Sequence, residues 1–449
     1  MNRVHYVGIA GSGVGALAQF HAMGGGQATG SDRSFDRGEA SPAHRNLEHL
    51  GIRIFPQDAS ALALKPDYLV VSGAVELEIA DIKEARAAGI EIRHRADELA
   101  RIANQRKTIA VAGTSGKSTV AAMIFAIFSG AGLDPSIITG GELVELKERG
   151  LIGNAWRGKS DWLVIEADES DGTLVRYASQ LGVILNVSKD HKEVAELKNL
   201  FREFKSRSKT CLISADPGLS DLRAGSLVFG EGGGLRAESV ELGPLSSKFS
   251  VEQTQFILPC PGAHDVENAL AAIAAARAIG VPLETAARAL SQFRGVARRF
   301  EFIGEARGVR VIDDFAHNPA KIEAAIRAAK LGARRVLAVF QLHGYAPARF
   351  LKNEFIDAFA RALDPDDQLW MPEIYYAGGS VTRDISTEGI ADAVAARGRR
   401  ARFAPHRDDI PALIAKEARE GDVILSMGAR DPSLPEFARK IFSSLLLAR

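Results

Sequence analysis

The sequence predicts an α/β protein of three domains built around mostly parallel sheets. Strand-like apolar runs alternate with alanine-rich helical runs along the whole chain, the pattern of helices layered on parallel strands. Two glycine loops, within 8–17 and 113–118, each lie between such a strand and such a helix. At 449 residues the chain has room for two to four domains with substantial cores.

The first domain is placed at 1–104, with strands expected at 5–10, 52–55, 68–73 and 90–94. GIAGSGVGAL (8–17) follows the first strand and opens a helix. A helix N-terminus leaves backbone N–H groups unpaired, so Gly11, Ser12 and Gly13 can seat the pyrophosphate of NAD, FAD or a sugar nucleotide. Asp32, in GSD at the end of the next strand, can accept hydrogen bonds from a ribose or a base. A tight glycine turn made only for packing is the plain alternative.

The second domain is placed at 105–298, with strands at 108–113, 136–140, 162–168 and 182–187, a β-rich patch near 209–258 and a surface turn at 230–234. VAGTSGKSTV (111–120) reads as a phosphate loop, although its G-x-x-G-K-S spacing is shorter than the usual one. Gly113, Thr114, Ser115 and Gly116 form the turn. Lys117 can reach the outer phosphates, Ser118 can offer its hydroxyl to Mg²⁺, and Thr119 continues into the helix. VIEADESDG (164–172) brings Glu166, Asp168, Glu169 and Asp171 to a strand's C-terminal end, where a carboxylate can bind Mg²⁺. His191, after the next strand, can add a metal contact. A solvated acidic turn is the alternative for the acidic stretch, and an ordinary loop histidine for His191. In PGAHDVENALAA (261–272), Asn268 can pair with an adenine edge through donor and acceptor together.

The third domain is placed at 299–449, with strands at 309–315, 334–340, 367–373 and 421–429. Arg299, in RRFE, can neutralise phosphate charge. Asp314 and His317, in DDFAHNP, fall just beyond a strand, where α/β sheets collect binding residues. Asn318-Pro319 is also a good helix entry.

Lys+Arg and Asp+Glu number 56 each, which argues against nucleic acid or an anionic membrane as main partner. Two cysteines, Cys211 and Cys260, make no disulfide framework and fit a reducing cytosol. The start, HYVGIAG, lacks a signal-peptide pattern, and no apolar run has membrane-spanning length, so a cytoplasmic chain with no membrane insertion is expected. Nothing in the sequence indicates the oligomeric state.

Taken in order, GIAGSGVGALA, GSD, VVSGAV (70–75), RHRADELA (93–100), GTSGKST, IEADESD, PGAHDVENALAA, RRFE, DDFAHNP and FQLHGY resemble the motifs of the Mur ligase family over nearly the full length. The match is best to its alanine-adding branch. The resemblance implies a Rossmann-like UDP-binding domain, a P-loop ATP-binding domain and a Rossmann-like C-terminal domain. It implies peptidoglycan precursor synthesis: the carboxylate of UDP-N-acetylmuramate takes the γ-phosphate of ATP, and an amino acid or peptide amine then displaces phosphate. Carried over, Lys117 contacts the γ-phosphate, Ser118, Glu166 and His191 hold Mg²⁺, and Asn268 meets adenine. Arg299 and Asp314 contact ATP, and His317 lies near the amine. Gly11, Ser12, Gly13, Asp32, Ser72 and Gly73 surround the uridine diphosphate, and Asn154 lies near the muramyl moiety. His343 and Arg349 belong to the amine side. Domain closure is expected, with hinges near 104–107 and 296–300.

The departures gather in one segment. The alanine-adding branch reads FQPHRYTRTR where this chain reads FQLHGYAPAR (340–349), so Gly344 and Pro347 replace arginines and Arg349 remains. Neither residue can supply a guanidinium fork for a carboxylate. DDFAHNP is nearer the wording of the murein peptide ligase, which attaches a whole recycled peptide. A peptide amine or a different acid substrate therefore stays open. Two other classes compete. An NAD-linked oxidoreductase leaves the loop at 113–118 unexplained. A non-catalytic ATP-binding scaffold leaves Lys117, Glu166, His191 and Asp314 unexplained.

Overall fold

The computed structural model of the chain describes residues 2–36, 42–73, 75–76, 78–170, 172–188, 192–376 and 382–447. Residues 1–240, 249–258 and 266–296 form one compact unit; 241–248, 259–265 and 297–449 form a second.

The first unit holds two parallel-type sheets. The N-terminal sheet has five strands in the order Arg53–Phe55, Gln27–Ser31, Arg3–Val7, Tyr68–Val71, Glu91–His94, all parallel. Arg3–Val7 lies at its centre, with the second strand on one side and the fourth on the other. Its C-terminal end is therefore the point where the strand order reverses and ligand crevices form. The central sheet has seven strands in the order Leu227–Phe229, Thr210–Ser214, Leu181–Ile184, Lys107–Ala112, Trp162–Glu166, Ser136–Ile138, Ala155–Trp156, the last pair antiparallel. The helix Lys117–Gly130 is apolar all round and buries Ser118–Phe125, Ile127 and Phe128, as a helix covered on several sides must.

The expected first boundary, at 104–105, separates two sheets but not two compact units. Asn104 donates from Nδ2 to the Arg176 carbonyl (3.1 Å) and accepts at Oδ1 from the Ala178 N–H (2.8 Å). Asp97 pairs with Arg176. Asn154 donates to the Ser12 carbonyl (2.8 Å) and accepts from Gln19 Nε2 (2.8 Å). These contacts join the two sheets across that boundary.

The second unit carries a six-stranded sheet in the order Glu301–Ala306, Val309–Asp314, Val423–Gly428, Val336–Gln341, Gln368–Met371, Arg400–Phe403. Only the first pair is antiparallel. Its core gathers Ile312, Phe340, Phe355, Phe359 and Met427 on one face and Val311, Trp370, Ile410 and Ile441 on the other. Among the described residues, no helix is long and apolar enough to cross a membrane.

Candidate functional site

The loop at 113–118 leaves the central strand Lys107–Ala112 and enters its helix at Gly116, whose φ of 85° and ψ of −9° are left-handed. A Cβ on Gly116 would lie 2.4 Å from Asn268 Oδ1, so glycine is required by conformation and by contact. Asn268 thus packs on the phosphate loop itself. Asn186 pins the loop from the neighbouring strand's end: its Oδ1 accepts from Ser115 N–H (2.9 Å) and Thr114 Oγ1 (3.0 Å), and its Nδ2 donates to the Ser115 carbonyl (3.1 Å). Thr119 is buried in the first helical turn.

Lys117 Nζ donates to the Gly113 carbonyl (2.9 Å) and to Glu169 Oε2 (2.7 Å). Glu169 is buried, and burial pushes its carboxyl above the usual range while the Lys117 charge opposes the rise. Glu166 ends the adjacent strand, paired in register with Val111. Its Oε1 accepts from Gly140 N–H (2.8 Å) and from Thr139 Oγ1. Ser118 borders the same turn, since a Cβ on Gly141 would stand 3.4 Å from the Ser118 hydroxyl. Two hard oxygen donors, Ser118 and Glu166, therefore flank Gly140–Gly141. That donor set fits Mg²⁺, which keeps several waters and needs only one or two protein oxygens. No group of three ligating side chains forms among the described residues, and His191 lies outside them.

At the first loop, Gly8 and Ile9 N–H donate to the Ser31 carbonyl (2.8 and 3.2 Å). Asp32 accepts from Ala10 N–H (3.0 Å) and from Ser34 N–H and Oγ (2.9 and 2.7 Å), so it shapes the loop that it was expected to serve as a ligand contact. Gly11 and Ser12 are exposed, Gly13 and Ser72 half-buried, Gly73 exposed. Asn154, expected near a muramyl group, is 1% exposed with its amide engaged on Ser12 and Gln19; it holds the loop's helix rather than facing solvent.

The second unit carries its own cluster. Arg298 and Phe300 have φ of 59° and 49°, strained for non-glycine residues. The turn is over-determined. Asp314 accepts from Phe300 N–H (2.7 Å) and Ala316 N–H (2.7 Å), and Asp313 accepts from Arg298 Nε (2.9 Å). Between them Arg299 lies over the Phe315 ring, 4.9 Å from its centre. Burial raises the Asp314 carboxyl, opposed by Arg299, and pushes Asp313 up to about 6, opposed by Arg298.

His317 Nδ1 lies 2.9 Å from the Phe315 carbonyl, which can only accept, so Nδ1 carries a proton in this contact. Its ring centre is 5.9 Å from that of His343. His343 Nδ1 is buried without a partner among the described residues. Burial, then the Arg430 charge, lowers its pKa to about 4. Arg349, expected to anchor substrate, pairs with Asp384 and donates to the Thr382 carbonyl (3.0 Å).

The depressed His343 value has a definite sign. The ring is neutral in the fold down to about pH 4, while the unfolded chain takes its proton near 6.5. Its contribution to stability is lost as pH falls through that window. Asp313 acts oppositely, weakening the fold as pH rises from 3.8 to about 6. An NMR titration of the imidazole resonances should show His343 with a midpoint near 4; a midpoint at the ordinary histidine value would mean that the ring is solvated.

A glycine loop at a central parallel strand, with lysine, hydroxyl and strand-end carboxylate around it, defines a phosphate-loop nucleotide-binding α/β protein. Family models place it further. The Mur ligase family catalytic domain matches residues 3–107, the Mur ligase middle domain 111–276, and the Mur ligase glutamate ligase domain 298–430. A UDP-N-acetylmuramate–L-alanine ligase of Pelotomaculum thermopropionicum is 35% identical, with 95% of each chain covered. One from Myxococcus xanthus is 32% identical, covering 97% of this chain and 95% of its own. Among solved structures, a UDP-N-acetylmuramate–alanine ligase of Thermotoga maritima matches over 100% of both chains at TM-score 0.82 and 26% identity. A murein peptide ligase of Psychrobacter arcticus shares the fold over 99% of both chains at TM-score 0.67 and 24% identity. The chain belongs to the Mur ligase family, and is an ATP-dependent ligase.

Sequence reasoning missed the partner of Lys117. Glu169 is one of four carboxylates within 164–172, and the turn after Trp162–Glu166 sets it 2.7 Å from the ammonium, with Asp168 farther off at 3.9 Å. Asn186 was likewise passed over, although its place at the end of a strand neighbouring the loop strand was a usable signal.

Proposed function

We propose that this chain joins an amino acid to the lactyl carboxylate of UDP-N-acetylmuramate, using Mg²⁺-ATP and passing through an acyl phosphate, in peptidoglycan precursor synthesis in the cytoplasm. The observation that carries the reading is the placement of Lys117 at the mouth of the phosphate loop, with Ser118 and Glu166 flanking one glycine pair. Lys117 and the helix N-terminus hold the transferring phosphoryl group and neutralise its charge. Ser118 and Glu166 would hold Mg²⁺, which would supply charge neutralisation on the transferring phosphoryl group. The sugar carboxylate attacks the γ-phosphorus, and ADP leaves. The amine then attacks the acyl carbon, phosphate leaves, and the ammonium proton passes to a base. His317 Nε2 is suited to that base, because its Nδ1 proton is fixed on a carbonyl. Asn268 and Arg299 serve the nucleotide, and the loop at 8–13 serves the uridine diphosphate.

A second reading concerns the amine alone. Gly344, Pro347 and an Arg349 already paired with Asp384 favour an amine other than L-alanine, with a peptide amine as the extended case.

Phosphate release from Mg²⁺-ATP, measured with UDP-N-acetylmuramate against single amino acids and muropeptides, tests both. Release that needs ATP, the nucleotide sugar and one amine together is the expected result. Release that ignores the nucleotide sugar would overturn the acid assignment. Release with a peptide and not with L-alanine would establish the second reading.

A further inference from the structure

Between the first helix, the helix Arg95–Asn104 and the strand-end segment 155–157 lies a cavity of about 210 Å³, apart from the phosphate loop at 113–118. Phe20, His21, Glu98, Arg101, Arg106 and Arg157 are among the side chains that line it. Glu98 is taken by Arg101, at 2.6 Å. Arg106 and Arg157 have no carboxylate within ion-pair distance among the described residues. Arg106 donates to the Ser160 carbonyl at 3.3 Å, and Arg157 to the Phe20 carbonyl at 3.5 Å. Both guanidiniums lie over the one Phe20 ring, 5.3 and 5.1 Å from its centre. Two half-buried positive charges thus share one hydrophobic wall, and the cavity's own carboxylate, Glu98, is paired with Arg101 and not with either of them. Burial, and then the charge of Arg157, lowers the Arg106 pKa, with only Asp161 opposing it.

The backbone makes room for this arrangement. A Cβ on Gly24 would fall 1.5 Å from Arg157 Nη1, and one on Gly26 would fall 2.2 Å from His21 Nε2. The run GGG at 24–26 therefore lets Arg157 and His21 tuck against the end of the first helix. The burial of His21 lowers its pKa, so at neutral pH it adds no charge of its own.

We propose that this cavity is a binding site for a small phosphate-bearing dianion, gripped by Arg106 and Arg157. Guanidinium forks match phosphate oxygens in bidentate geometry, and a dianion would pair with two guanidiniums that have no direct ion pair of their own among the described residues. The same helix that supplies Phe20 and His21 begins at Ser12 in the first glycine loop, and Asn154, three residues before Arg157, bonds the Ser12 carbonyl. An occupant therefore bears on the loop from behind, as an effector does, and is no part of the reaction.

Equilibrium dialysis of the full chain against radiolabelled inorganic phosphate, a dianion at mildly alkaline pH, tests it. The intact chain should bind one equivalent more than Arg106→Gln/Arg157→Gln, and Lys117→Ala should keep that equivalent because the phosphate loop is a separate site. Gly24→Ala, which leaves every charge in place and displaces only the tip of Arg157, should weaken this equivalent by about tenfold, the factor of one lost guanidinium contact worth roughly 1.4 kcal/mol. Thermal unfolding confirms that each variant is folded. An extra equivalent that survives in the double arginine variant, or binding that disappears wholly with Lys117→Ala, would overturn the proposal.

Discussion

Lys117→Ala is expected to lower the rate of phosphate release by about 10²–10³-fold, the usual loss when one charge-stabilising donor is removed from a transferring group. The ammonium is held to the Gly113 carbonyl and to buried Glu169, so its position is fixed by the protein itself. A phosphate taken up there competes with Glu169 for the same charge. That competition costs some nucleotide affinity and returns it as positioning, because the lysine side chain has little freedom left to lose. The alanine variant also strands Glu169, whose carboxyl burial already raises. It then keeps its proton to higher pH, and the loop loses a charge pair on both sides. Lys117→Arg preserves charge but not the compact three-donor head, and should recover little of the rate. The measurement is phosphate release at saturating ATP, together with nucleotide binding. Unchanged release in Lys117→Ala would remove the loop from the reaction.

The parts of this site that local patterns specify were legible in advance. Strand Lys107–Ala112, the glycines at 113 and 116 and the apolar helix 117–130 are each set by short-range chemistry, and they stand where the sequence puts them. Elements whose character depends on distant neighbours were not. Strand Glu301–Ala306 pairs antiparallel at the sheet edge and looks like part of a charged turn. Arg400–Phe403 is an edge strand with alternate side chains exposed, so arginines occupy half of it. Asn154 reads as a ligand contact by its motif, yet its surroundings bury it between two domains of one compact unit. The same limit applies to His343: its residue type announces a titrating group, and only the packing around Nδ1 shows that it stays neutral through the physiological range.

Gly344→Arg, the change that brings the segment 340–349 closest to the alanine-adding pattern, is expected to damage the second unit rather than restore an anchor. Gly344 has φ 77° and ψ 133°, a conformation beyond the left-handed helical region that side-chain-bearing residues tolerate. Forcing a non-glycine residue there costs about 1–3 kcal/mol. A Cβ would also meet Pro347 Cδ at 3.3 Å. The backbone cannot easily yield, because Gly344 N–H donates to the Tyr375 carbonyl (3.0 Å) and Tyr375 N–H to the Leu342 carbonyl (2.8 Å), which fixes His343 between them. Gly344→Ala should therefore show the same loss of stability and of kcat/KM as Gly344→Arg, with no benefit from the added charge. Pro347→Arg is the informative contrast. Residue 347 is the third of the short helix Tyr345–Phe350, where a missing N–H is already without an intrahelical partner, so arginine there meets no backbone penalty. If the amine carries a carboxylate near this helix, Pro347→Arg should lower its KM while Gly344→Arg lowers the melting temperature. A gain in kcat/KM for L-alanine from Gly344→Arg, at unchanged melting temperature, would show that the glycine is a lost anchor and not a conformational requirement. The equality of Gly344→Ala and Gly344→Arg would show the reverse: that this chain's amine site is built on a different turn, so its specificity cannot be recovered by replacing side chains on the alanine-adding plan.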